Sequence, residues 1–312
     1  MNIDKEIIKG HLAALTANIL FGLNLSISKS LLESLWMTPM GFTYSRMFFG
    51  VILFSLISFL TVREKAGLRD LLIMAAGGLL GLAFAQLSFS IGIRYTSPVT
   101  WSLIAALGPI VVLLLSAVFL KDKISLKKAV GVIIGITGAV LLVMRNSSGG
   151  GASNSFLGIA IAMFSITSFS AYIVIMRKSS LKYAPITMMK WMFLSAFIFL
   201  SPLGIPELTK QRLFTPEVTL KPVLQFAYSV IPTSVVAFLL MSVAVKRIKA
   251  TATSMYNNVQ PLAASTAAII IGQDIFTWDK PLVLLLILIG VFLVTRSDLA
   301  GTFTNHVTGE KN

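Results

Sequence analysis

The chain has no cysteine and only two histidines, His11 and His306. That excludes a disulfide framework, a cysteine metal site and a histidine cluster. Charge is also scarce. Charged residues make up 12% of the 312 positions, about half the share of a soluble domain. There is no phosphate-binding loop, no metal-ligating set, no Ser/His/Asp constellation and no catalytic carboxylate pair. Enzymatic chemistry therefore has no foothold, and neither a cofactor nor a metal is expected. The opening MNIDKEIIKG has mixed charge and no basic segment leading to a cleavage site, so the first apolar run reads as a retained span.

What the chain has is hydrophobic length. Apolar residues make up 56%, and mean hydropathy is +0.87. A bilayer core of about 30 Å takes roughly 20 helical residues. Runs of that size fall at 10–31, 40–62, 70–92, 97–120, 126–144, 155–176, 184–203, 222–244, 250–272 and 281–297. They are continuous and do not alternate, which argues against a β-barrel. The net charge of +14 sits in short clusters between the runs, as topology signals do, and not in a nucleic-acid-binding stripe. With the N-terminus inside, cytoplasmic segments hold seventeen Lys and Arg against six on the other side. The alternation, loop by loop, predicts ten spans with both termini cytoplasmic.

The middle of the chain, RNSSGGGASNS from Arg145, reads as a flexible linker. It divides the chain into a first unit at 1–144, a linker at 145–154, a second unit at 155–297 and a polar tail at 298–312. A shift of 152 carries Pro109 to Pro261, Ser102 to Ser254, Asp122 to Asp274 and Gly138 to Gly290 without a gap. The matches indicate an internal five-helix repeat. Five is odd, so the second copy is expected to cross the membrane in the opposite sense. The fold expected is an all-α polytopic membrane protein of ten helices in two inverted repeats, an arrangement typical of secondary transporters. Pro109 and Pro261 are each expected to kink a span beside a protein-lined or water-filled space, because proline removes a helix hydrogen bond.

These residues resemble a family. A mid-span proline, a small-residue apolar run, an acidic turn and a Gly-bearing last helix are similar to the EamA domain of the drug/metabolite transporter superfamily. LFGLNLSISK from Leu20, SRMFFG from Ser45 and GIRYTSPVTWSLIAALGPI from Gly92 resemble its first, second and third-to-fourth helix patterns. The chain departs from the pattern at Asp122 and Asp274, where the family usually has Glu, and at Phe21, where many members have Trp. The resemblance implies a bacterial inner-membrane location and transport of small organic solutes, often export.

Ionisable groups inside a span are costly and mark candidate sites. Arg46 and Lys190 lie inside predicted spans, and both could meet an anionic group, although long cations can also snorkel to the headgroups. Uncharged candidates for lining a solute path are Asn24, Gln86, Trp101, Tyr172, Tyr256, Asn257 and Gln260. Asn257 and Asn258 are neighbours about 100° apart on a helix, so at most one faces a lumen squarely. Gly77–Gly81 and Gly131–Gly135 are spaced for close helix packing. The expectation is alternating-access transport of small polar solutes, such as amino acids or related metabolites, with export favoured. Import or exchange of nucleosides, sugars or other metabolites is the alternative, and a non-transporting receptor is a further one. The expected partners are a small-molecule substrate and the lipid bilayer, without nucleic acid.

Overall fold

A computed structural model describes residues 2–61, 64–120 and 156–272, with isolated positions at 130, 133, 285 and 289. The predicted spans 126–144 and 281–297, the linker, the tail, Asp122, Asp274 and the Gly131–Gly135 pair lie outside the described residues, save for those isolated positions. Among the described residues every regular element is helical. They are α1 (Asn2–Glu33), α2 (Pro39–Thr61), α3 (Leu68–Gly78), α4 (Ala85–Gly92), α5 (Pro98–Ala105), α6 (Gly108–Phe119), α7 (Phe156–Ser180), α8 (Pro185–Leu208), α9 (Leu220–Tyr228), α10 (Phe238–Ile248), α11 (Ala250–Met255) and α12 (Gln260–Ile271). A π-helical stretch, Leu79–Phe84, joins α3 to α4, and a second, Ser229–Ala237, joins α9 to α10. A 3-10 turn, Tyr256–Val259, joins α11 to α12.

Seven of the resulting helices are long and apolar enough to cross a membrane. The fourth of these, Pro98–Phe119, contains the turn between α5 and α6, and an eighth described segment, 250–271, contains the 3-10 turn. Phe59, Leu60, Val118, Phe119 and Ile270 are each more than 70% exposed on the outside. So much exposed apolar surface suits lipid and would be a liability in water.

Local chemistry sets the helix ends. Pro39, Pro98 and Pro185 open helices, where their missing N–H costs nothing. Ser97 caps α5 by accepting from the Thr100 N–H. Gly272 closes α12 in the left-handed conformation at φ 76°. Small residues set the packing. A methyl group at Gly78 would collide with Met192 and Ser195 of α8, and one at Gly81 would strike the Tyr172 ring of α7. The close approach expected of Gly77–Gly81 therefore falls on α7 and α8.

Contacts sort the turns into two ends. At one end Gly10 lies against Arg247 and Ile248, the Tyr183 hydroxyl donates to Asp70 at 2.8 Å, and Arg177 donates to the Val245 carbonyl at 2.7 Å. At the other, Gly158 lies against Tyr95 and Thr96, and the Leu213 N–H donates to the Trp36 carbonyl at 3.1 Å.

The 152-residue shift reappears in element boundaries. It carries the start of α3 at Leu68 to the start of α9 at Leu220, and the first π stretch into the second. It also carries α6, Gly108–Phe119, onto α12, Gln260–Ile271.

Candidate functional site

Both mid-span prolines follow an interruption of α-helical hydrogen bonding, as expected of a kink. The flanking backbone stays in the right-handed helical region, at Ala106 and Leu107 and again at Tyr256 and Val259. After α5 the chain makes a turn at Ala106 and Leu107, and α6 begins at Gly108 with Pro109 in its first turn. After α11 the 3-10 turn intervenes, and α12 begins at Gln260 with Pro261 in its first turn. The prolines thus occupy positions that suit them, and the cost falls on the short non-α linkers. Broken helices belong where protein or a polar space replaces lipid.

A cavity of about 70 Å³ lies at these breaks. Phe21, Asn24 and Leu25 of α1 border it, with Ala85, Gln86 and Phe89 of α4 and Trp101 and Ala105 of α5. The second half contributes Ser165, Ile166 and Phe169 of α7, Thr233 of the second π stretch, and Asn257 and Gln260 at the second break. Three spans from each half therefore form the wall. The lining is mostly apolar and aromatic with a few polar groups, the usual composition of a small-molecule site.

The polar groups are held from behind. Arg46 of α2 is completely buried. Its Nε donates to Ser234 Oγ at 2.8 Å and its Nη1 to Gln86 Oε1 at 3.0 Å. The guanidinium carbon lies 5.2 Å from the centre of the Phe42 ring, and Nη2 has no hydrogen-bond partner among the described residues. Asn24 Oδ1 is 2.8 Å from Ser229 Oγ. Gln260 Nε2 donates to Asn18 Oδ1 at 2.7 Å, and Asn18 Nδ2 donates to the Ala14 carbonyl at 2.8 Å. Asn257 Oδ1 is buried with no partner among the described residues. Trp101 is 4% exposed and packs edge-on to Phe89, so it is a wall and not a headgroup anchor.

Of the residues singled out from sequence, Asn24, Gln86, Trp101, Asn257 and Gln260 border the cavity. Asn257 lines it and its neighbour Asn258 does not; Asn258 Nδ2 turns to the Met255 carbonyl at 2.9 Å. Arg46 stands one layer back. Three others lie off the lining. Tyr172 is fully buried beside Phe169 and Phe238. Tyr256 pairs with His11 Nδ1 at 2.8 Å. Lys190 places its Nζ 5.6 Å from the centre of the Trp191 ring. Sequence reasoning did not single out Asn18, Ser165 or Thr233, because a lone polar residue in an apolar helix has no pattern that tells which way it faces. It also left aside Lys29. That side chain is buried, bonds the Ile93 and Thr96 carbonyls at 3.1 and 2.9 Å, and pairs with Glu33 at 2.7 Å. It ties α1 to the turn between α4 and α5.

Comparison with known proteins agrees with this architecture. The pattern of the EamA-like transporter family matches twice, at residues 8–144 and 156–296. A protein of Archaeoglobus fulgidus described as an uncharacterized transporter is 30% identical over 153 residues, 49% of this chain and 52% of its own length. The uncharacterized transporter YyaM of Bacillus subtilis is 25% identical over 205 residues, 64% of this chain and 65% of its own. The matched stretches thus span half to two thirds of these curated relatives. A solved crystal structure of a protein superposes with a TM-score of 0.65 at 18% identity, covering 91% of this chain and 98% of that one, which speaks to the fold alone. With both halves matched, the apolar spans and the walled cavity leave one assignment: the chain is an integral membrane protein belonging to the EamA-like transporter family.

Proposed function

We propose that the chain is a secondary transporter that moves small polar organic solutes, amino acids or related metabolites, across the bacterial inner membrane by alternating access, chiefly as an exporter. The observation that carries this reading is the convergence of two helix breaks, one from each half, on one cavity. Broken helices meeting at a repeat interface are what a transporter uses to contact a solute from two access states.

In the same reading the full chain has ten spans in two inverted five-helix repeats, at 1–144 and 155–297, joined by the 145–154 linker and followed by a tail at 298–312. Chain direction supports the inversion. α1 starts at the end where Arg247 and Ile248 lie, whereas α7 starts at the opposite end, beside Tyr95 and Thr96. The excess of Lys and Arg on one side supports cytoplasmic termini. Asn24, Gln86, Trp101, Asn257 and Gln260 are assigned to direct solute contact, and Arg46 to the positive field behind Gln86. The cavity is smaller than the roughly 300 Å³ of a drug-sized pocket, which favours a compact solute.

Counterflow tests the proposal. Liposomes containing the protein are preloaded with one unlabelled solute, and entry of its labelled form is followed. The panel covers amino acids, nucleosides, sugars and small carboxylates. Saturable entry of at least one solute, reduced in Arg46→Gln, is the expected outcome. Silence across the panel from folded protein would overturn it.

A further inference from the structure

Two amides on different walls of the cavity have no freedom in how they are turned. A guanidinium can only donate hydrogen bonds. Arg46 Nη1 lies 3.0 Å from Gln86, so the side chain of Gln86 must present its carbonyl oxygen there. Its Nε2 is then left for the cavity that Gln86 borders. The second case begins at a group that can only accept. The Ala14 carbonyl takes the Asn18 Nδ2 hydrogen bond, which turns Asn18 Oδ1 toward Gln260. That oxygen takes the Gln260 Nε2 bond, and Gln260 Oε1 is left for the cavity. The two ends of an amide are nearly the same size, so an unconstrained glutamine can offer either. Here a flip would set donor against donor at Arg46, in a part-buried contact, or acceptor against acceptor at Asn18, in a buried one, and unpaired polar groups are costly there.

We propose that Arg46 and Asn18 are positioning residues that lock Gln86 and Gln260 in opposite senses, giving the cavity a fixed donor on α4 and a fixed acceptor on α12. The preferred solute is therefore a small molecule that carries an acceptor and a donor group together. The inference rests on the cavity being the solute site, as proposed above. Arg46, in this arrangement, does not touch the solute. It decides which end of Gln86 does.

Equilibrium binding to the detergent-purified full chain tests this apart from transport. The probes are L-alanine, which has both groups, propionate, which has the acceptor alone, and ethylamine, which has the donor alone. Wild type is expected to bind L-alanine at least about tenfold more tightly than either half-analogue, because a site built to bond a group rejects the analogue lacking it. Gln86→Glu keeps an oxygen toward Arg46 but replaces the cavity donor with an acceptor. It should weaken L-alanine and propionate about tenfold or more and leave ethylamine unchanged or tighter. Asn18→Leu frees Gln260 to turn, so ethylamine should lose ground to propionate. If that variant does not fold, Gln86→Glu decides alone. A merely structural role would weaken all three probes together, and that outcome overturns the inference. So does a folded wild type that binds none of them, or binds a half-analogue as tightly as L-alanine. Flux in liposomes without this selectivity defeats the inference and spares the transporter reading. Selective binding without flux does the reverse.

Discussion

The two helix breaks share a backbone plan and differ in chemistry. The first reads Ala105, Ala106, Leu107, Gly108 ahead of Pro109; the second reads Asn257, Asn258, Val259, Gln260 ahead of Pro261. At the first the wall is Ala105, with no polar side chain. At the second it is the amides of Asn257 and Gln260. The plain break serves the polar one. A Cβ at Gly108 would come within 2.8 Å of Asn257 Nδ2, so the absent side chain at 108 is the seat of the amide opposite. The two halves share the geometry, and the hydrogen-bonding groups stand on one half and the room for them on the other.

Substitutions at the two places test this difference. The largest effect is expected for Gly108→Leu. The new side chain must displace Asn257 or fill the cavity, and counterflow should fall to background while the purified protein remains monodisperse. Asn257→Leu comes next. Its Oδ1 is buried without a partner among the described residues, and such a group costs about 1–3 kcal/mol. The variant should therefore melt no lower than wild type, or higher, while counterflow drops at least about tenfold. Loss of both together would assign Asn257 to packing. Ala105→Asn adds an amide to the plain break. It should change the rank order of solutes in competition assays by a few-fold and cost roughly 1 kcal/mol where the amide is imperfectly paired. The smallest effect is expected at Lys249, which joins α10 to α11 with φ 67° and ψ 164°. Only glycine takes that conformation without strain. Lys249→Gly should raise stability by about 1 kcal/mol, seen as a higher melting temperature, with the solute ranking unchanged.

Much of the architecture was open to reading because lipid imposes length. Eight of the ten predicted runs fall on described helices, and the repeat seen at Pro109 and Pro261 recurs in the boundaries of α6 and α12. Neighbour geometry also indicated that Asn257 and Asn258 do not share one facing, without telling which of them borders the cavity. What the sequence does not carry is facing. A helix in lipid is apolar all round, so no stripe marks its inner side. Tyr172 could thus be expected on the lining and lies in the packed core, while Asn18 and Thr233 passed without notice. The interruptions themselves could be read, because a proline in an apolar run signals a lost hydrogen bond. The turn at Ala106–Leu107 and the 3-10 geometry at Tyr256–Val259 could not.

The π stretches give the cavity a phase. An α-helix advances about 100° per residue, and a π turn takes in an extra residue. Upstream of Leu79 the glycines of α3 face α7 and α8; downstream, Gln86 meets Arg46 and the cavity. Ser234, the other partner of Arg46, lies inside the second π stretch. Were those six residues to wind as α with none removed, Gln86 would swing about 100° away while Gly77 and Gly78 stayed seated. Both hydrogen bonds of a single buried arginine thus hang on helical phase, and the surplus residue that each π turn absorbs is what holds that phase.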